Sequence, residues 1–135
     1  MTECVVDTDV VSFAFKEDTR AELYRPHLEG SILTISFMTV AELHRWGLER
    51  NWGIRRQTEL TDYLEGYVVY GFDRLLCRKW AEVTDGCRRK GRTIQCADAW
   101  IAATALLHGM PLITHNADHF GGVDGLTLVT ERDVE

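Results

Sequence analysis

Long apolar runs, cysteine pairs and basic leader segments are all missing from this sequence of 135 residues. No stretch approaches the roughly 20 apolar residues that a helix needs to cross a bilayer, and no basic segment with an apolar stretch behind it suggests a signal peptide. The four cysteines are widely spaced, without the CxxC or Cys/His pairs of a zinc site. We therefore expect a cytoplasmic protein with reduced thiols and no membrane association.

Lysine is also scarce, because only three of the 15 basic residues are lysine and the other 12 are arginine. The net charge of −6 and the sequence pI near 5.3 argue against a long basic groove that follows nucleic-acid phosphates. They do not exclude a nuclease, since acids that hold a metal ion also count as negative. Arginine is the residue favoured for bidentate contacts to phosphate or carboxylate.

The segments with strand character alternate with segments of helical periodicity. We predict strands at 3–7, 31–36, 67–70, 111–114 and 126–129. We predict helices that begin near Val10, after Asp18, at Thr39 and after Asp73, and two further helices over 55–65 and 97–108. This order, β-α-α-β-α-α-β-α-α-β-β, predicts an α/β fold with three layers, α/β/α, and a mainly parallel central sheet. We expect one domain over residues 1–135.

Acidic and amide side chains recur where strands end and helices begin. Asp7 ends the first strand, Glu42 lies in the first turn of the helix predicted after the second strand, and Asp98 lies in the first turn of the alanine-rich helix. Asn116 and Asp118 occupy the loop after the fourth strand. Strand ends and the following helix starts share one edge of a parallel sheet, where ligands of such folds bind. The sequence therefore predicts that these groups converge.

Each of these residues also has a purely local explanation. Thr39 and Glu42 have the spacing of a capping box, Asp98 suits the positive end of a helix dipole, and Asn116 is a common turn former. Asp7 is harder to explain locally, because a carboxylate beside two buried valines is costly unless it is paired or bound to metal. The joint pattern favours a site over five separate local roles.

The chemistry of such a site follows from its oxygen ligands. Several carboxylates without supporting lysines favour a hard divalent cation, Mg²⁺ or Mn²⁺. A cation of this kind activates a water molecule and stabilises the charge that develops on a phosphate. The pattern therefore indicates hydrolysis of phosphodiester bonds.

Four segments of the chain, in this order, are similar to those of PIN-domain ribonucleases: residues 5–12, 39–43, 98–105 and 112–120. The sequence most resembles the VapC toxin branch of bacterial type II toxin–antitoxin pairs. The resemblance implies an endoribonuclease that depends on Mg²⁺, with Mn²⁺ as a possible substitute, and that cleaves an RNA substrate. It also implies a homodimer and a small cognate antitoxin protein whose tail enters the active-site groove.

The same resemblance implies roles for individual residues. Asp7 and Asp98 would be the main metal ligands, and Glu42 would complete the acidic site directly or through water. Asn116 aligns with a fourth position that is Asp in some members and Asn in others. Asp118 lies two residues beyond that position, so the choice between Asn116 and Asp118 stays open.

Two other interpretations compete with the nuclease. Asp9 stands where PIN domains often have Asn or Ser. The run Asp7-Thr8-Asp9 also resembles the opening of haloacid-dehalogenase-like phosphatases, in which Asp7 would be the nucleophile. That family needs a supporting lysine, for which Lys90 is a poor candidate, and a later Gly-Asp pair that the sequence lacks. A non-catalytic PIN-like binding module is the other alternative, but such a module has no chemical need for clustered acids.

Two further groups of residues remain ambiguous in the sequence. A basic cluster precedes Asp98 and consists of Arg88, Arg89, Lys90 and Arg92. It would guide RNA phosphates, pair with an acidic antitoxin or simply form a solvated helix end. Three tryptophans at helical spacings are expected in the core or a dimer interface rather than as base-stacking platforms: Trp46, Trp52 and Trp80.

Overall fold

The computed structural model describes residues 2–132, and its elements follow the predicted order. The strands are β1 (Thr2–Val6), β2 (Ser31–Ser36), β3 (Val68–Tyr70), β4 (Leu112–Ile113) and β5 (Leu128–Val129). The helices are α1 (Thr8–Phe15), α2 (Ala21–Leu28), α3 (Phe37–Glu49), α4 (Ile54–Leu64), α5 (Arg74–Arg89) and α6 (Cys96–Leu107), and a 3₁₀ turn over Ala117–Phe120 precedes β5. The predicted three-layer α/β/α fold is confirmed.

The five strands form one sheet in the order β3-β2-β1-β4-β5, and every pairing is parallel. The first strand is therefore central, with Val5 paired to Thr34 of β2 on one side and to Leu112 of β4 on the other. The chain builds one half of the sheet from β2 and β3 and then crosses to build the other half. The strand order reverses between β1 and β4, and a crevice opens at such a switch point, beyond the carboxyl ends of the strands.

Helices cover both faces of the sheet, which explains why β1 is continuously apolar. Val5 and Val6 are both fully buried, and successive side chains of a strand point to opposite faces. Val6 packs in a cluster with Tyr24 and Leu43, whereas Val5 packs in a second cluster with Leu76. Full burial of one such side chain contributes about 1.5–3 kcal/mol. β1 thus ties both cores to one strand and holds the residue that follows it in place.

Several element boundaries differ from those predicted: β1 ends at Val6 rather than at Asp7, and α1 begins at Thr8 rather than near Val10. The helix after β2 begins at Phe37 rather than Thr39, because the Ser36 hydroxyl accepts a hydrogen bond from the backbone N–H of Met38 at 3.1 Å and caps the helix earlier. Asp18 does not cap α2. Its carboxylate instead accepts hydrogen bonds from the backbone and guanidinium of Arg20.

The tryptophans are half-buried against the two cores, as expected. Trp46 and Trp52 pack against the cluster that contains Val6, and Trp80 stacks on Trp100 with ring centroids 5.2 Å apart. All four cysteines are free. Between residues 2 and 132, no helix combines the length and the apolar character needed to cross a membrane.

Candidate active site

Asp7 lies directly after β1, at the switch point of the sheet. Its backbone N–H continues the β1–β4 pairing by donating to the carbonyl of Ile113 at 2.9 Å. Its side chain caps α1, since Oδ1 accepts from the backbone N–H of Thr8 at 2.8 Å, and Oδ2 accepts from Thr114 Oγ1 at 2.7 Å. Only 5% of Asp7 is exposed. Both oxygens are thus fixed in orientation by neighbours from β4 and α1.

Glu42 reaches the site from the second turn of α3, not from a helix start. Its Oε1 lies 2.8 Å from Thr8 Oγ1, which also lies 2.9 Å from Thr39 Oγ1. Because a carboxylate only accepts, Thr8 donates to Glu42. The capping-box explanation of Thr39 and Glu42 is therefore wrong: α3 starts too early for it, and Glu42 bonds across to α1 instead.

Asp9 and Asn116 form the third part of the site. Asp9 Oδ2 accepts hydrogen bonds from the backbone N–H of His115 at 3.1 Å and from the Asn116 amide at 3.0 Å. The Asn116 backbone N–H donates to Thr114 Oγ1, the hydroxyl that also holds Asp7. A continuous network therefore joins Asn116 to the end of β1, and the carboxylate of Asp9 holds the loop after β4 against α1.

Asp98 and Asp118 face a cleft of about 540 Å³ beside this network. Asp98 lies in the first turn of α6, as predicted, and its Oδ2 is 3.5 Å from His119 Nδ1. Asp118 is exposed in the 3₁₀ turn and lines the same cleft. The structure thus connects Asn116 to Asp7 through hydrogen bonds and leaves Asp118 on the wall of the cleft.

The four carboxyl groups at this edge, Asp7, Asp9, Glu42 and Asp98, share an electrostatic environment that disfavours their charged forms. Removal from water is the largest cause in each case and raises the pKa of all four groups. Repulsion from Asp9 and Asp98 raises the pKa of Asp7 further, while the Thr114 hydroxyl partly opposes the rise. Negative charge at this edge is therefore held at a cost that a bound cation would relieve.

The donor set fits a hard divalent cation that keeps part of its water shell. Within residues 2–132, no three His, Cys, Asp or Glu side chains already stand close enough together to enclose a metal ion. Mg²⁺ does not require such a cage, because it commonly binds one or two carboxylates, several waters and phosphate oxygens. The predicted ligands Asp7 and Asp98 supply oxygen donors of this kind, and the burial of uncompensated charge provides the reason for a cation to bind.

The sequence pattern predicts the acids as site residues but not the hydroxyl groups that orient them. Thr8 and Thr114 each hold a carboxylate and are 4% and 0% exposed. The available signal was position, since Thr8 directly follows Asp7 and Thr114 ends the strand paired with β1. The sequence marks Asp9 as a departure from the family pattern and as part of the phosphatase-like run, whereas in the structure its carboxylate accepts the hydrogen bond that positions Asn116.

Comparisons with known proteins agree with this fold. A sequence model of the PIN domain matches residues 4–126. The chain is 35% identical over 134 residues to the VapC ribonuclease Y4jK of Sinorhizobium fredii, across 93% of this chain and 94% of that protein. Two solved complexes share the fold, and in each case the match covers 96% of this chain and 98% of the chain in the solved structure. They are VapBC2 from Rickettsia felis bound to a promoter DNA fragment, with a TM-score of 0.84 and 20% identity, and DNA-bound VapBC from Salmonella typhimurium, with a TM-score of 0.82 and 23% identity.

These matches cover nearly the whole described fold, including all four segments that carry the acids. They decide against the phosphatase interpretation of Asp7-Thr8-Asp9. PIN-domain nucleases of the VapC type generally depend on a divalent metal ion, which the oxygen-only donor set accommodates. The chain belongs to the PIN-domain family, among the VapC ribonucleases.

Proposed function

We propose that this protein is a Mg²⁺-dependent endoribonuclease, with Mn²⁺ able to substitute, and that it serves as the toxin of a toxin–antitoxin pair. The observation that carries the proposal is the gathering of Asp7, Asp9, Glu42 and Asp98 at one edge of the sheet. Burial raises the pKa of each carboxyl group, and repulsion from neighbouring acids adds to the rise for Asp7, Asp9 and Glu42. The relative that is 35% identical to this chain is named as a VapC ribonuclease, which supports RNA as the substrate.

The proposed division of roles follows the contacts. Asp7 and Asp98 hold the cation, and Glu42, oriented by Thr8, completes the acidic site. When bound, Mg²⁺ supplies activation of water and stabilisation of the charge that develops on the phosphate. The chain's own contribution is to fix the carboxylate oxygens before substrate arrives, which the hydroxyl of Thr114 does for Asp7.

Asn116 is proposed to be the fourth member of the catalytic set, in preference to Asp118. The Asn116 amide donates to Asp9, and its backbone joins the network that ends at Asp7. Asp118 contacts the same cleft as Asp98 but is exposed in the 3₁₀ turn. Its proposed role is therefore limited to the wall along which the RNA strand lies.

Two protein partners are proposed as well. The solved structures that share the fold include VapBC complexes, which supports a small cognate antitoxin for this chain. An arginine of that antitoxin would neutralise the carboxylates of the site and displace the cation. A homodimer is supported by large apolar side chains on the surface, among them Phe72 and Leu75, which are 71% and 61% exposed.

The test is cleavage of labelled RNA by the purified protein with Mg²⁺, with Mn²⁺ and with EDTA. We expect cleavage with either ion, none with EDTA, and a loss of at least about a hundredfold in Asp98→Asn, because that variant keeps the shape of the side chain but not its charge. Asp62→Asn, on the exposed face of α4, is the matched control and should cleave at the wild-type rate. Cleavage by Asp98→Asn at that same rate would show that the metal-site assignment is wrong.

The antitoxin is tested by coexpression with the product of the gene next to this one. A stable complex in which RNA cleavage is blocked is the expected result. A complex that leaves the carboxylates open and cleavage intact would contradict the proposed mode of inhibition.

A further inference from the structure

The basic cluster before α6 separates into residues that are already paired and one that is not. Arg88 Nη2 lies 2.8 Å from Asp85 Oδ1, and Arg89 Nε lies 2.9 Å from Asp85 Oδ2. Lys90 pairs with Asp124. Three of the four cations are therefore engaged with carboxylates on the surface, which matches the simplest expectation for a solvated helix end.

Arg92 differs from its neighbours in both partner and position. Within residues 2–132 its guanidinium forms no ion pair, and it lines the cleft of about 540 Å³ that Asp98 and Asp118 also line. His119, on the same wall, already lies 3.5 Å from Asp98. Arg92 thus places a permanent positive charge in a cleft that leads to the acidic site.

Two glycines make room for the Arg92 side chain. A Cβ on Gly121 would stand 2.9 Å from the guanidinium carbon of Arg92, and a Cβ on Gly122 would stand 3.1 Å from its Cβ and 3.1 Å from Cys87 Sγ. The Gly121 backbone, at φ −63° and ψ −21°, is open to any residue. A side chain larger than hydrogen at position 121 would therefore displace the guanidinium of Arg92. Arg92 is exposed, but its guanidinium packs against the backbone at Gly121.

We propose that Arg92 binds a backbone phosphate of the RNA strand that flanks the phosphate being cleaved. The inference rests on the proposed nuclease function. A chain with a net charge of −6 repels RNA on approach, and Asp98 and Asp118 repel it again in the cleft. A guanidinium on the wall of the same cleft offsets that repulsion locally and offers two parallel N–H donors that match phosphate oxygens.

The test compares Arg92→Gln with Arg89→Gln, a cation of the same cluster whose partner is Asp85. Substrate is a labelled single-stranded RNA that the wild-type protein cleaves. We expect Arg92→Gln to raise KM about tenfold with kcat within about twofold, because a contact to a neighbouring phosphate binds ground state and transition state alike. The slope of log(kcat/KM) against log salt should fall by about 0.7, the value for one phosphate of a single strand. Arg89→Gln should change neither quantity.

Gly121→Ala tests the position of the guanidinium without removing its charge. We expect a KM increase of about threefold and no added effect in the double variant with Arg92→Gln, since both changes act through one contact. Additive effects would contradict the positioning role of Gly121. If wild-type protein cleaves RNA but Arg92→Gln behaves like Arg89→Gln, the proposed contact of Arg92 with a phosphate is refuted and the nuclease proposal stands. If wild-type protein cleaves no RNA, the nuclease proposal and this inference both fall.

Discussion

The exchange Asp7→Asn changes the charge of the site but leaves its shape intact. Asparagine is a good helix N-cap, so its Oδ1 can still accept from the Thr8 N–H. The new amide faces Thr114 Oγ1, which can accept as well as donate. The fold should be retained. The difference in free energy of unfolding between this variant and the wild-type protein should therefore measure how much the buried carboxylate destabilises the fold.

The sign of the effect follows from the raised pKa of Asp7, caused first by burial and then by the charge of Asp9. A folded-state pKa above the unfolded value makes the carboxylate destabilising as pH rises from about 3.9 through the folded-state pKa. At pH 7.5 we expect Asp7→Asn to stabilise the metal-free protein by about 1–3 kcal/mol, the usual desolvation penalty of a buried polar group. The Tm should therefore rise by several degrees.

The assay is thermal unfolding in EDTA at pH 7.5 and at pH 5, followed by circular dichroism. The gain in Tm should shrink at pH 5, because the wild-type carboxyl is then more fully protonated. The control is Asp85→Asn, where salt bridges to Arg88 and Arg89 lower the pKa instead. That variant should be neutral or slightly less stable. An Asp7→Asn variant no more stable than wild type at pH 7.5 would refute the account of charge buried at a cost.

Three other outcomes follow from the same contacts. Addition of Mg²⁺ should raise the Tm of wild-type protein and leave that of Asp7→Asn unchanged, since only a ligand that binds the folded state stabilises it; equal shifts would place the cation elsewhere. Thr114→Val should lower the RNA cleavage rate about 10- to 100-fold with little change in circular dichroism, because it removes the hydroxyl that orients Asp7. Asn116→Ala should lose at least about tenfold in cleavage rate while Asp118→Asn stays within about threefold, and the reverse order would assign the fourth position to Asp118.

The order of elements and the edge that holds the site could be predicted because both depend on patterns in the chain. Continuous apolar strands such as β1 indicate a sheet covered on both faces, and parallel strands bring their carboxyl ends together whatever their spacing in sequence. Asp7, Asp98 and Asn116 were placed near one another by this topology alone. No knowledge of side-chain contacts was needed.

Contacts between distant side chains could not be predicted in the same way. Glu42 had an adequate local partner in Thr39, and only the earlier start of α3 at Phe37 shows that it bonds to Thr8 instead. The cap that sets this start, Ser36, is the last residue of β2 and gave no separate signal. Likewise, the pairing of Lys90 depends on Asp124, 34 residues further along the chain, whereas Asp85 pairs with Arg88 and Arg89 at local helical spacings.

The central position of β1 has a consequence for synthesis of the chain. β1 is made first, but its β4 edge stays open until Leu112 and Ile113 have been added, roughly 5–20 s later at ordinary translation rates. A nascent or interrupted chain that stops before β4 holds Asp7 without the strand that fixes it and without the loop that carries Asn116. Assembly of the site is thereby deferred until β4 and the loop after it have been made, so we expect chains that stop earlier to lack the complete site.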